Sequence, residues 1–224
     1  MTLSVLDDGL YAITDSTLIP PGQLTSSVAR AIAGGASVIQ YRDKQAPDPA
    51  RYREAAALAT LCRQHGIPLI INDDAELAAA VDASGVHLGR TDPPIRQMRE
   101  RLGPRAIIGV SCYNDLERAV TASQAGADYV AFGRFFPSHS KPHAPPAETA
   151  VLSRARRQLD LPIVAIGGIT PGNGQSLLAA GANLLAVIHG VFGQPDIRAA
   201  AAQYAELFRD QVYSKLTKTE TETN

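Results

Sequence analysis

Eight short apolar runs, separated by alanine-rich stretches of helical character, constrain the fold of this 224-residue chain more than any other feature. The runs have the length and β-branched content of strands, and the stretches between them are long enough for helices. We predict strands at Leu10–Thr14, Ser37–Tyr41, Pro68–Ile71, Gly85–Leu88, Ala106–Val110, Tyr129–Phe132, Pro162–Ile166 and Leu184–Ile188. Because strands that alternate with helices form a parallel sheet, eight βα units predict a single (β/α)8 TIM barrel of the α/β class.

The chain length fits one barrel as well as it fits two small domains, but no linker interrupts the alternation of strands and helices. We therefore predict one domain, a catalytic barrel over residues 1–212. Residues 213–224 are polar and low in complexity, and we predict that they form a disordered tail.

Charge and cysteine content limit the classes of partner. The 21 Lys and Arg residues nearly balance the 22 Asp and Glu residues, so no global field favours nucleic acid or an anionic membrane. Cys62 and Cys112 have no metal-type spacing, which indicates a reducing compartment. Since no segment has the pattern of a secretory signal or a membrane span, we predict a cytoplasmic protein without nucleic-acid or membrane partners. The oligomeric state stays open, with a homo-oligomer among the alternatives.

A cationic cluster follows the second predicted strand. Gln40, Arg42 and Lys44 alternate along the chain, so their side chains point to the same side. Arginine offers a planar fork of donors and lysine a point charge, and this combination suits a diphosphate. The alternative is an ordinary solvated strand end.

Two carboxylates follow neighbouring strands, Asp73 after strand three and Asp92 after strand four. Magnesium commonly takes one or two carboxylates and completes its shell with water and phosphate oxygens. The alternative interpretation is helix capping, because Asp73 or Asp74 could cap the next helix and Asp92 precedes proline.

Further anion-binding groups follow the later strands. Gly167 and Gly168 come after strand seven and His189 after strand eight, where TIM barrels often hold a phosphate with backbone amides. Ser138, Ser140 and Lys141 lie in a long proline-rich loop that could clamp a phosphate, and Ser111 ends strand five. The alternatives are a structural turn for the glycines, a solvated linker for the loop and a structural role for Ser111.

No hydrolytic triad, histidine metal cluster or Walker motif occurs in the sequence, which disfavours hydrolases and nucleoside triphosphatases. His87 lies inside an apolar run, and we interpret it as a hydrogen-bonded barrel residue rather than a catalyst.

Motifs along nearly the whole barrel resemble those of the thiamine phosphate synthase family. The matching segments run from residue 10 to about residue 192 and are LYAITD, QYRDK, LIINDD, GVHLGRTD, IIGVS, DYVAFGRFFPSHSKP and PIVAIGGIT. The resemblance implies a transferase that joins 4-amino-2-methyl-5-(diphosphooxymethyl)pyrimidine to 4-methyl-5-(2-phosphooxyethyl)thiazole. The expected products are thiamine phosphate and pyrophosphate.

The resemblance also implies a set of site residues and a magnesium cofactor. The pyrimidine diphosphate is expected at Gln40, Tyr41, Arg42, Asp43, Lys44, Asn72, Ser111 and Lys141, with Arg42, Lys44, Ser111 and Lys141 as catalytic residues. The thiazole phosphate is expected at Ser138, His139, Ser140, Gly168, Ile188 and His189, and Mg²⁺ at Asp73 and Asp92. Ser138, Ser140, Arg90 and His189 differ from the residues that are frequent at these positions in the family.

Two other functions fit the same barrel. A thiazole tautomerase-like isomerase would not need the full diphosphate and magnesium set, and Arg134 stands where that group's catalytic histidine is expected. A non-catalytic phosphate-binding barrel would need only the pocket at Gly168 and His189, without paired carboxylates. Both alternatives are disfavoured by the cations and carboxylates of this sequence.

Overall fold

The computed structural model describes residues 6, 8–138 and 145–221, and from residue 210 the backbone alone. Eight parallel strands close into a barrel in chain order, so each strand pairs with its neighbours in the sequence and β1 pairs with β8. The strands are β1 (Gly9–Ile13), β2 (Ala36–Tyr41), β3 (Leu69–Asn72), β4 (Gly85–Leu88), β5 (Ile107–Tyr113), β6 (Tyr129–Gly133), β7 (Ile163–Ile166) and β8 (Leu184–Val187). The helices are α1 (Leu24–Ala33), α2 (Asp48–Gln64), α3 (Ala75–Ala80), α4 (Ile95–Leu102), α5 (Leu116–Gln124), α6 (Ala150–Gln158), α7 (Pro171–Ala179), α8 (His189–Phe192) and α9 (Ile197–Thr221).

The predicted (β/α)8 barrel is confirmed, and each predicted strand has a counterpart. The largest difference is at β5, which was predicted to end at Val110 and continues to Tyr113. Ser111 and Tyr113 still pair with β6, and the register shifts between them. Pairing with β6 therefore extends β5 through its polar end, although apolar and polar residues no longer alternate there.

The apolar core has two layers because alternate strand residues point into the barrel or out toward the helices. One buried cluster fills the barrel interior and includes Tyr11, Val38, Ile70, Tyr129 and Val164. The larger cluster lies between the strands and the surrounding helices. The inner cluster fills the barrel below the carboxyl ends of the strands, so a ligand site belongs at the rim above it.

The last helix, α9, packs against α1 and β1 and extends through Thr221. Its backbone thus runs into the segment that the sequence predicted as a tail, and the domain boundary at residue 212 stays a prediction. Among the described helices, none combines the length and the apolar character needed to cross a membrane.

Both cysteines are buried in the helix-facing core, at 1% exposure for Cys62 and 0% for Cys112. Burial raises the pKa of each thiol to about 12, so neither is a thiolate near neutral pH. We expect the native protein to react with a thiol reagent such as DTNB only as fast as it unfolds, and both thiols to react at once in denaturant. Rapid labelling of the native protein would contradict this burial.

Candidate active site

A cavity of about 970 Å³ opens at the carboxyl ends of the strands, and all eight strands contribute to its wall. This rim is where TIM-barrel enzymes place their active sites. The cavity brings together eleven of the predicted site residues: Gln40, Arg42, Lys44, Asn72, Asp73, Asp92, Ser111, Ser138, Gly168, Ile188 and His189. The groups from β2 to β5 lie on one arc of the barrel and those from β7 and β8 on the other.

Two predicted substrate-binding residues lie elsewhere. Tyr41 points out of the barrel, where its hydroxyl donates to Glu54 of α2 at 2.7 Å. Asp43 accepts from the backbone N–H groups of Gln45 and Ala46 at 2.7 and 3.0 Å and so shapes the loop after β2. The strand alternation that turns Gln40 inward turns Tyr41 outward. Neither Tyr41 nor Asp43 lines the cavity, and their contact with a substrate stays a prediction.

The predicted site residues His139, Ser140 and Lys141 lie outside the described residues. Their roles stay predictions.

On the cationic arc, the Lys44 ammonium lies 3.5 Å from an Asp73 carboxylate oxygen, and the two side chains are 58% and 38% exposed. An ion pair this exposed contributes little to stability. Lys44 can therefore move to an incoming anion at small cost. The chain before it is anchored, because the Arg42 backbone N–H donates to the Thr14 hydroxyl at 2.9 Å.

Helix capping was the alternative role for Asp73, Asp74 and Asp92. Of the three, Asp74 is the one that caps a helix. Its carboxylate accepts from Leu77 N–H at 2.9 Å at the start of α3 and pairs with Arg51 at 2.7 Å. Asp73, at φ +64°, faces the cavity instead. Helix α4 begins after Pro94 without a side-chain cap, and Asp92 accepts from Gly89 N–H at 2.5 Å. Both carboxylates are thus left at the rim.

The carboxylates of Asp73 and Asp92 both lie beside Gly89, where an added Cβ would be 3.3 Å from Asp92 Oδ2 and 4.0 Å from Asp73 Oδ1. Burial raises the pKa of Asp92, and the neighbouring Asp73 charge raises it further, against the opposing effects of Gly89 N–H and Lys44. Within the described part of the chain, no group of three His, Cys, Asp or Glu side chains is placed to hold a metal. Two oxygen-donor carboxylates at an open rim nevertheless fit a magnesium ion that a phosphate would complete.

The floor of the cavity is a chain of hydrogen-bonded polar side chains. Gln40 Nε2 donates to Tyr11 Oη at 2.8 Å, and the hydroxyls of Tyr11 and Tyr129 are 2.8 Å apart. His87 bridges the Tyr129 hydroxyl, 2.9 Å from Nδ1, and the Ser111 hydroxyl, 2.8 Å from Nε2. His87 is therefore the hydrogen-bonded barrel residue that was predicted, and the chain links two predicted ligand residues across the barrel.

Tyr11 and Tyr129 also line the cavity and were not among the predicted site residues. The available signal was strand alternation, because each lies two residues before an inward-facing apolar residue, Ile13 or Ala131. Burial raises the pKa of both phenols above the ordinary value, so both stay protonated and able to donate.

We expect Tyr129→Phe to lower the free energy of unfolding by about 1–3 kcal/mol, because the change removes the buried hydroxyl that contacts both His87 Nδ1 and the Tyr11 hydroxyl. Urea unfolding of the variant and the wild type measures the difference. Tyr52→Phe is the matched control, since Tyr52 is 49% exposed and should be neutral. Equal stability of the three proteins would show that the buried chain contributes nothing.

The opposite arc is shaped by glycine turns. Gly167 and Gly168 have φ of +106° and +64°, which glycine adopts without strain. The Phe136 N–H donates to Gly167 O at 3.0 Å, so the segment leading to Ser138 lies directly on this turn. Helix α7 starts just beyond, where Thr170 N–H donates to the Asn173 side chain at 2.8 Å. Main chain thus borders this arc closely enough to meet a phosphate.

Fold and site together define a (β/α)8 enzyme whose rim suits phosphorylated small molecules. The family model described as thiamine monophosphate synthase matches residues 10–191. The chain belongs to this family, and it is a transferase enzyme of thiamine biosynthesis.

Named relatives agree with the family assignment. The thiamine-phosphate synthase of Nitrosococcus oceani is 58% identical over 200 residues, which cover 89% of this chain and 92% of the relative. That of Thiobacillus denitrificans is 50% identical over 200 residues, covering 89% and 94%. The solved thiamine phosphate pyrophosphorylase of Pyrococcus furiosus superposes with a TM-score of 0.83 at 36% identity, covering 92% of this chain and 97% of that one.

Proposed function

We propose that this enzyme condenses the pyrimidine diphosphate with the thiazole phosphate to give thiamine phosphate and pyrophosphate. The observation that carries the proposal is a single cavity with a cationic, carboxylate-bearing arc at β2 to β5 and a glycine-lined arc at β7 and β8. One arc suits a diphosphate with a metal ion, and the other suits a monoester phosphate. A volume of about 970 Å³ is ample for two small ligands side by side.

Arg42 and Lys44 would bind the diphosphate, with Asn72 and Ser111 completing the polar wall, and Lys141 would join them from the loop. Asp73 and Asp92 would hold magnesium, which supplies, when bound, positive charge beside the leaving diphosphate. Gly168, Ile188 and His189 would bind the thiazole phosphate together with Ser138, His139 and Ser140.

The proposed reaction is a dissociative displacement. The bond between the pyrimidine methylene and the diphosphate oxygen breaks, and its electron pair leaves on the diphosphate. Arg42 and Lys44 stabilise that growing negative charge more than they stabilise the bound substrate. The thiazole nitrogen then donates its lone pair to the ring-stabilised methylene cation and forms the new C–N bond.

The apolar part of the cavity fits this chemistry. Ile13, Ala131, Val164, Ile166 and Ala186 also line the cavity. A carbocation-like intermediate would be captured by water, and an apolar wall limits the water beside it. Since the attacking nitrogen already carries its lone pair, the mechanism needs no protein nucleophile or strong base. The protein has only to hold the two substrates in the right orientation.

The direct test is to mix the purified protein with both precursors and to quantify thiamine phosphate and pyrophosphate, with magnesium or with EDTA. We expect the two products in equal amounts and only with magnesium. Absence of product from folded protein would contradict the proposal. Isomerisation of the thiazole alone would then favour the tautomerase-like alternative, and phosphate binding without turnover would favour the binding barrel.

A further inference from the structure

An arginine outside the cavity ties the loop that carries Asp92 to the end of the strand that carries Ser111. We propose that Arg118 is a positioning residue that sets the distance between these two groups. The inference rests on the proposed function, in which Asp92 holds magnesium and Ser111 contacts the diphosphate. Arg118 itself is not among the residues that line the cavity.

The guanidinium of Arg118 bridges two backbone carbonyls. Its Nε donates to Ser111 O at 2.8 Å and its Nη2 donates to Gly89 O at 2.9 Å. The same Gly89 donates its N–H to the Asp92 carboxylate at 2.5 Å. A continuous set of hydrogen bonds thus runs from the β5 backbone through Arg118 to the carboxylate proposed to bind the metal.

Arg118 is itself well anchored. It lies in the first turn of α5, and its backbone N–H donates to the N-cap Asp115 at 3.0 Å. The guanidinium is planar and always charged, so its donors keep a fixed geometry and form charge-assisted bonds. A lysine at this position could reach either carbonyl with its ammonium group but could not reproduce the fork.

The loop from Gly89 to Asp92 depends on such contacts, because helix α4 begins beyond it without a side-chain cap. On the cavity side the Arg90 guanidinium lies 4.8 Å from the ring centroid of Tyr113, the last residue of β5. Arg118 and Arg90 therefore attach the loop to the same strand end from two directions. Of the two, Arg118 contacts the backbone of Gly89 directly and so acts on Asp92 by the shorter path.

Arg99 is a matched control, because its guanidinium also donates to backbone carbonyls, but at the other end of the barrel. Its guanidinium donates to Ala106 O just before β5, and to Gly126 O at 2.9 Å and Asp128 at 2.7 Å just before β6. The amino ends of these strands lie away from the cavity. Removing Arg99 should therefore cost stability without moving Asp92 or Ser111.

The experiment is calorimetric titration of inorganic pyrophosphate, in saturating magnesium, into the wild type, Arg118→Met, Arg118→Lys and Arg99→Met. We expect Arg118→Met to raise the dissociation constant by tenfold or more, roughly the effect of losing a group that orients a metal ligand. Arg118→Lys should fall between it and the wild type. Arg99→Met should melt at a lower temperature but bind as the wild type does, within about twofold, since its bonds lie at the amino ends of β5 and β6.

Wild-type affinity in Arg118→Met, or an equal loss of affinity in Arg99→Met, would overturn the inference while leaving the proposed function intact. If the wild type itself does not bind magnesium pyrophosphate, the diphosphate site and the inference fall together. If Arg118→Met does not fold, the comparison of Arg118→Lys with the wild type decides, because lysine keeps the charge and loses only the fork.

Discussion

Asp73→Asn is expected to lower kcat/KM for thiamine phosphate formation by at least about 100-fold, because it removes a charge that would hold magnesium beside the departing diphosphate. Asparagine keeps the shape of the side chain and also tolerates the φ of +64° at this position. The backbone should therefore stay in place while the charge is lost. Steady-state kinetics over a range of magnesium concentrations measure the effect.

The adjacent residue supplies the control. Asp74 caps α3 and pairs with Arg51, and asparagine caps a helix about as well as aspartate does. Asp74→Asn should therefore keep kcat/KM within about threefold of the wild type, since it changes only a partly exposed ion pair. Equal losses in the two variants would mean that the total negative charge of this loop matters, and not a carboxylate at the metal position.

Gly168→Ala is expected to lower kcat/KM for the thiazole phosphate by about 100-fold, the cost of misplacing a reactant by roughly 1 Å. A Cβ at this glycine would overlap the carbonyl oxygen of Pro137 and would come within 2.8 Å of Phe136. The positive φ adds backbone strain. The segment that leads to Ser138 must shift to make room, and the Michaelis constant for the thiazole phosphate should rise most.

Gly172→Ala is the control for this change. It lies in the first turn of α7, where an added Cβ would meet only the Thr170 hydroxyl, at 3.9 Å. Alanine there favours the helix and should leave stability unchanged or raise it by about 0.5–1 kcal/mol. A Gly168→Ala enzyme with normal kinetics would show that this turn does not shape the phosphate arc.

Local periodicity made much of the site predictable. Strand alternation placed Gln40, Arg42 and Lys44 on one side, and all three line the cavity. The same rule, applied to Tyr41, would have sent it outward, but the motif resemblance grouped it with its neighbours. Tyr11 and Tyr129 were missed although the same alternation applies to them, because no polar cluster in the sequence marks which face of β1 or β6 points into the barrel.

The capping ambiguity shows a different limit. Asp73, Asp74 and Asp92 all have the local sequence of a helix N-cap, and sequence rules for capping do not distinguish them. The structure separates them through backbone conformation and neighbours, with Asp74 on Leu77 N–H and Asp92 on Gly89 N–H. Which carboxylate is left for a ligand depends on the path of the chain after each strand.

The sequence by itself determined the barrel, the order of its strands and the rim on which its polar residues meet. These properties follow from hydrophobic period and from chain connectivity, which are local or topological. Only the tertiary structure decided that Arg118 joins Gly89 to Ser111. It also decided that five side chains from Gln40 to Ser111 form one hydrogen-bonded chain. The same holds for the closeness of Asp73 and Asp92. Such contacts depend on distances between residues far apart in the chain, and those distances exist only once the barrel has closed.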